Sequence, residues 1–219
     1  MQPLNLRLLM ALALTFASAL ACAQDFKFSN DEDADKAKEA GRKDRVRAQL
    51  ASPCRDKIRD QKILVLVGES RVGRIEANQA VYGQHFDAIN SRLRAVGLRT
   101  YTQAEISAQI AQAEVDAYFR NDPDAALNAS KKLSAQYILR GVISSQAVRN
   151  AMINVNQVTI NMNFTLTGAD GRLISQAGAT NASYAGADTS GMALTLINER
   201  ADEVVARLYS DYCRNAGVK

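Results

Sequence analysis

A stretch near the middle of the chain leaves little freedom of fold. Val158, Ile160, Met162, Phe164 and Leu166 alternate with Thr159, Asn161, Asn163, Thr165 and Thr167. Period two over this length fits a strand and no helix, with one apolar face and one face of amides and hydroxyls. Such a strand needs a sheet with apolar cover on one side. Gly168-Ala169-Asp170-Gly171 supplies turn residues, and Arg172 to Tyr184 reads as the returning antiparallel partner. Gln136 to Ser144 reads as a further strand ahead of them.

Upstream, Lys62 to Val67 (KILVLV) is a continuous apolar run, the signature of a strand buried on both faces. Gly68-Glu69-Ser70-Arg71-Val72-Gly73 follows and reads as a strand-exit loop. It has no Gly-Lys-Ser/Thr ending and no G-x-G-x-x-G, so nothing in it is built to hold a nucleotide phosphate. Phe86, Ile89, Leu93 and Val96 recur at helical spacing up to Gly97, and Leu98 to Tyr101 reads as a short strand. Thr102 and Glu105 form a capping box for a helix with Ile106, Ile110 and Val115 on its inner side. Asp122-Pro123 starts another helix, with Leu127 and Leu133 facing inward. From Asp188 or Thr189 a long helix carries Leu194, Ile197, Ala201, Val204, Val205, Leu208 and Tyr212 as its stripe. The expected fold is α/β (α+β): a single domain with a mixed four- to five-stranded sheet packed by helices and a long C-terminal helix.

The amino terminus is of another kind. Arg7, the apolar run Leu8 to Ala17 and the small residues after it describe a secretory signal peptide over residues 1–23, too short to span a bilayer. Residues 24–57 form a charged linker or helix, acidic at Asp31, Glu32, Asp33 and Asp35 and basic from Lys36 to Arg47. The domain is expected over residues 58–214, with 215–219 as a tail. Net charge is +4, and losing Arg7 with the leader lowers it by one. No Lys/Arg stripe interleaves with aromatics, so no nucleic-acid partner is expected. No later apolar run approaches the roughly 20 residues of a membrane span.

The chain has three cysteines. Cleavage after the A-x-A site Ala21-Cys22-Ala23 makes Gln24 the first mature residue and removes Cys22. Cys54 and Cys213 then remain, an even pair in an oxidising compartment, and read as a disulfide. Closing a loop of about 160 residues is worth about 2–4 kcal/mol in real proteins. Lipid attachment at Cys22 leaves the same pair, so the count does not separate cleavage from acylation. A lipid-attachment site wants a leucine-like residue three places before the cysteine, where Ala19 stands.

Catalytic inventory is thin. His85 is the only histidine, which excludes His-His metal pairs, and no G-x-S-x-G is present. Asp116, Asp122 and Asp124 read as helix-end and cap residues, and Glu199, Asp202 and Glu203 as a solvated helix face. No catalytic residue, metal or cofactor is expected, and the chain is read as no enzyme.

Four segments follow one another in a familiar order: Lys62 to Val67, Leu93 to Tyr101 (LRAVGLRTY), Lys132 to Ser144 (KLSAQYILRGVIS) and Asn163 to Ile174 (NFTLTGADGRLI). Over roughly residues 60–185 they resemble the superfamily of the curli-secretion lipoprotein CsgG, the penicillin-binding-protein activator LpoB and the amino-terminal domain of TolB. The resemblance implies a non-catalytic periplasmic domain that binds other envelope proteins, an accessory in cell-envelope or surface-appendage assembly (curli, flagellar or peptidoglycan-synthase). A family rich in lipoproteins also keeps acylation of Cys22, and an outer-membrane lipoprotein, as the alternative to a soluble periplasmic or secreted protein. Two departures narrow it. Connections such as Ser145 to Gln157 are too short for a curli-type pore, and Gln24 to Lys57, with one proline, reaches only roughly 30 Å as a coil. The expected partner is another envelope protein, with self-association open and no membrane span. The candidate surface is Thr159, Asn161, Asn163 and Thr165 together with Glu69, Ser70 and Arg71. The alternative is a small-ligand or glycan-binding protein, or a hydrolase with an unrecognised carboxylate pair.

Overall fold

The computed structural model describes residues 29–52, 54–58, 61–71, 74–78 and 83–215. Cys22, Ala23 and Gln24, on which cleavage and lipidation turn, lie outside these residues. The chain divides into two compact units, Met1–Lys38 and Glu39–Lys219. In the first, residues 29–38 begin helix α1 (Ser29–Leu50). Lys36 meets Glu32 and Asp33 at 3.8 Å, and Lys38 meets Asp35 at 3.1 Å. These exposed pairs one turn apart contribute a few tenths of a kcal/mol each.

The second unit opens with the rest of α1 and a short turn of helix, α2 (Arg55–Ile58). Then come β1 (Lys62–Arg71), β2 (Arg74–Glu76), α3 (Gly83–Ala95) and β3 (Arg99–Thr100). Three helices follow, α4 (Gln103–Gln109), α5 (Gln112–Phe119) and α6 (Pro123–Leu133). The unit closes with β4 (Tyr137–Asn150), β5 (Val155–Gly168), β6 (Leu173–Ala185) and α7 (Thr189–Asn215). The sheet is mixed and six-stranded, in the order β2-β1-β4-β5-β6 with β3 beside β1. β1 is parallel to β3 and β4, and the other pairs are antiparallel. The strand beyond the expected five is β2, three exposed residues with no apolar signature.

Side-chain alternation assigns the two faces. Gly68 points at Phe119 of α5, while its neighbour Glu69 faces His85 of α3. Helices α3 and α7 share the second face, joined where the Arg92 guanidinium donates to Asp202 at 2.7 Å and to the Asn198 carbonyl at 3.1 Å. Ile63 to Val67 are all buried, as a strand covered on both sides requires. In β5, Val158, Ile160, Met162, Phe164 and Leu166 are buried on the α7 side. Opposite Phe164 in β4 stands Gly141, where a Cβ atom would lie 2.2 Å from the ring's Cε1. The ring lies across the strand because no side chain occupies that space.

Two local expectations are corrected. The apolar positions Ile106, Ile110 and Val115 do not share one helix, because the chain breaks at Ile110 and restarts from Ala111. Ser145 to Gln157 is not a connection: β4 and β5 stay paired to Asn150 and Val155, leaving only residues 151–154 as the turn. The part of β4 beyond its last β1 partner, Ser145 to Asn150, is still shorter than the roughly 9–11 residues of a membrane-spanning strand. No helix among the described residues is long and apolar enough to cross a membrane.

The ends of the second unit meet in a covalent tie. Cys54 is bonded to Cys213 of α7, with Cα atoms 5.6 Å apart across 159 positions of sequence. Beside it the Tyr209 hydroxyl donates to the Ser52 carbonyl at 3.0 Å.

Candidate interaction surface

The register lines up the polar residues of four strands. Ser70 of β1, Ser144 of β4, Asn161 of β5 and Thr180 of β6 form one row. The rows on either side run Val142–Asn163–Gly178 and Gln146–Thr159–Ala182, and Arg140–Thr165–Gln176 lies beyond. Asn161 and Asn163 are exposed, and Thr159 and Thr165 are half-buried. The Thr180 hydroxyl donates to Asn161 Oδ1 at 2.8 Å, a cross-strand bond that fixes the amide. Gly178 makes room for the next amide: a Cβ there would stand 3.0 Å from Asn163 Oδ1.

One border of this face is a wall. The Arg140 guanidinium donates to the Phe119 carbonyl at 3.1 Å and lies over the Tyr118 and Phe119 rings, at 5.9 and 5.2 Å from their centroids. Burial pushes the Tyr118 hydroxyl pKa up. A cavity of about 210 Å³ sits between this wall and Thr165, lined also by Asn121 and Asp122. From there the face runs open over β5 and β6 towards Tyr184.

Of the three residues expected on an exit loop, all belong to β1. Ser70 joins the polar row. Glu69 is buried on the opposite face, at 5 % exposure, and its Oε1 accepts the Ser145 hydroxyl at 3.0 Å. Its assignment to an exposed surface is therefore corrected: strand alternation turns it under α3. The backbone of Arg71 pairs with Arg74 across the β1–β2 hairpin. His85 has its pKa lowered by burial, partly offset by the charge of Glu69. Among the described residues no group of three or more His, Cys, Asp or Glu is placed to hold a metal ion.

The acids singled out in the sequence have local duties. Asp122 Oδ1 accepts the N–H groups of Asp124 and Ala125, capping α6. Glu199 accepts the Asn181 amide at 2.7 Å, and Asp202 holds Arg92. Asp116 takes the Gln112 amide at 2.8 Å, and the same amide donates to the Ala77 carbonyl. This last tie closes one side of a cleft of about 780 Å³ between β2 and α5, where Arg74, Ile75, Glu76, Asp116, Phe119 and Arg120 meet. The cleft lies beside the carboxyl end of β1, between the β1–β2 hairpin and α5. Sequence reasoning missed it because its residues come from two distant segments without a shared motif.

No protein-family model matches the chain, and no curated protein matches it. Several solved structures are similar at low identity. Lipoprotein GNA1162 from Neisseria meningitidis is 13% identical, covering 63% of this chain and 92% of that chain, with a TM-score of 0.46. The PelC dodecamer from Paraburkholderia phytofirmans is 15% identical, covering 66% and 87%, with a TM-score of 0.38. The LpoB C-terminal domain from Salmonella enterica is 17% identical, covering 55% and 82%, with a TM-score of 0.36.

Proposed function

We propose that this chain is a non-catalytic periplasmic interaction module, an accessory to cell-envelope or surface-appendage assembly that binds another envelope protein through the open face of β4, β5 and β6. One observation carries the reading: the row Ser144–Asn161–Thr180 and its neighbours are presented on a face that α3 and α7 do not cover. Amides and hydroxyls on a rigid sheet offer directional donors and acceptors at fixed spacing. The middle of the face has no aromatic anchor, so the complex it makes is weak or spread over a wide area. The periplasmic setting rests on the leader over residues 1–23 and on a disulfide suited to an oxidising compartment.

The test is a photo-crosslinking residue in place of Asn163, with Arg207 on the exposed side of α7 as the control position. The expected outcome is a discrete adduct from position 163 and none from 207, lost when Asn161→Arg is added. An adduct with a second copy of the chain makes the partner homotypic. Recovery of monomer alone from both positions ends the reading.

A second reading, a small-ligand or glycan-binding protein, is favoured by the cleft between β2 and α5. Its mixed lining of two arginines, two carboxylates, Ile75 and Phe119 suits binding. A ligand-induced rise in melting temperature that Arg120→Ala removes would support it. A ligand screen without any such shift would leave the protein-partner reading alone.

A further inference from the structure

The far end of the β4–β5 hairpin is apolar where a soluble protein gains nothing by it. Met152 is 95 % exposed, Ile153 and Val148 55 % each, and Tyr184 53 %. They sit together: residues 151–154 form the turn, and Val148, Gln157 and Tyr184 are direct cross-strand neighbours just behind it. β4 loses its β1 partner after Ser144, so Ser145 to Asn150 carry this end about 20 Å beyond the end of β1, with β6 still paired beside β5 as far as Ala185.

The turn is also closed on itself. Asn150 Oδ1 accepts the N–H groups of both Met152 (3.0 Å) and Ile153 (3.4 Å). The Arg149 guanidinium donates to Asn154 Oδ1 at 2.8 Å, across a turn in which Asn154 holds a left-handed φ of 55°. Asn156 donates to the Gly186 carbonyl at 3.0 Å and braces β5 to the end of β6. The backbone donors of the two apolar residues at the apex, Met152 and Ile153, are thus satisfied without water, which is what leaving water demands.

Charge selects the occupant. No aspartate or glutamate occurs between Asp124 and Asp170, and Arg149 is the one charged residue from Ser145 to Gln157. Along the hairpin the chemistry changes in order: apolar apex, then an arginine with asparagines, then the row of Val148, Gln157 and Tyr184, then the rows of amides and hydroxyls. A bilayer surface presents the matching order of acyl boundary, anionic phosphate and interfacial zone.

We propose that the β4–β5 hairpin tip is a shallow membrane-contact element, with Met152 and Ile153 entering the acyl boundary of an anionic lipid surface while Arg149 meets the phosphates and Tyr184 the interface. It spans nothing. Two large apolar side chains give a reversible contact that orients the domain on a surface and adds to any other anchor. Val148 and Tyr184 form the last row of the amide face, whereas Met152 and Ile153 lie beyond it in the turn, so a vesicle readout at position 152 and a crosslink at position 163 test the two proposals separately.

The chain has no tryptophan, so Met152→Trp is a clean reporter. It is placed in the full secreted protein carrying Cys22→Ser, so that no acyl chain contributes. Mixed phosphatidylethanolamine–phosphatidylglycerol vesicles should shift the emission to the blue, and brominated acyl chains should quench it. Ile153→Asp should lower the vesicle-bound fraction by about tenfold or more. Arg149→Gln should weaken binding about fivefold to these vesicles and leave binding to phosphatidylcholine unchanged. Emission that stays at its water-exposed position with every vesicle overturns the proposal. A shift seen only with rising concentration of the chain itself, or with an added envelope protein, overturns it too and gives the tip to a protein pocket.

Discussion

Gly141 has no Cβ because the Phe164 ring occupies the space. A methyl group there would overlap the ring at 2.2 Å, and Phe164 is itself buried between β5 and α7. Gly141→Ala should therefore lower stability by about 1–3 kcal/mol, read from urea unfolding, with no change at the exposed Asn161 and Asn163. Gly68 follows the same logic, since a Cβ would stand 2.8 Å from Ile75 Cγ2 and 3.0 Å from Phe119 Cε1. In the sequence Gly68 looks like punctuation at the end of a strand. Its real cause is a ring more than fifty positions away, a contact that no local pattern carries. Glu69 was misplaced for the same reason. Once Gly68 belongs to the strand, alternation sends the next side chain to the buried face, where Ser145 donates to it.

Elements with one buried face were legible and elements without one were not. Alternation from Val158 to Leu166 gives β5 its face, and the stripe from Ile197 to Tyr212 gives α7, although Leu194, expected at its head, is only half-buried and Leu196 takes the buried place. The outer half of β4, Ser145 to Arg149, is exposed throughout, so it has no period to read, and the same holds for β2. The break between α4 and α5 is legible only in part. Val115 stands five positions after Ile110, one more than a helical stripe allows, and each helix starts on its own glutamate. Glu105 accepts the Thr102 N–H at 2.6 Å, and Glu114 accepts the Ala111 N–H at 3.1 Å. Glu105 is held below the ordinary value of 4.5, first by the Thr102 N–H; Glu114 is held below it first by the Lys132 ammonium and then by the Ala111 N–H. A depressed carboxylate stabilises above its unfolded value, and that contribution is lost as pH falls from about 4.5 through the folded midpoint. Side-chain NMR should show both glutamates titrating below 4.5. Lys132→Ala should raise the Glu114 midpoint and leave that of Glu105 in place, because Lys132 Nζ lies 2.6 Å from Glu114 Oε1, whereas the cations acting on Glu105 are Arg94 and Lys62.

On the scale of the whole second unit, the Cys54–Cys213 bridge encloses all six strands within one covalent loop. Helix α7 covers β5 and β6, and its last turns place Tyr212 edge-on to Tyr137 of β4, with ring centroids 4.9 Å apart. The bridge thus holds the end of α7 to the segment that leads into β1, next to the hydrogen bond from Tyr209 to Ser52. In the unfolded chain the same bond joins residues 159 positions apart, so it removes much of the freedom the open chain would gain. Replacing both cysteines, Cys54→Ser with Cys213→Ser, should lower unfolding free energy by about 2–4 kcal/mol. The loss should appear as a fall in the urea midpoint. Reductant should bring the wild-type protein to the same midpoint and leave the double variant where it is. Equal midpoints for the two proteins without reductant would mean that the native chain does not carry the bridge. The segment around residue 54 and the end of α7 would then be held by packing and by the Tyr209–Ser52 hydrogen bond.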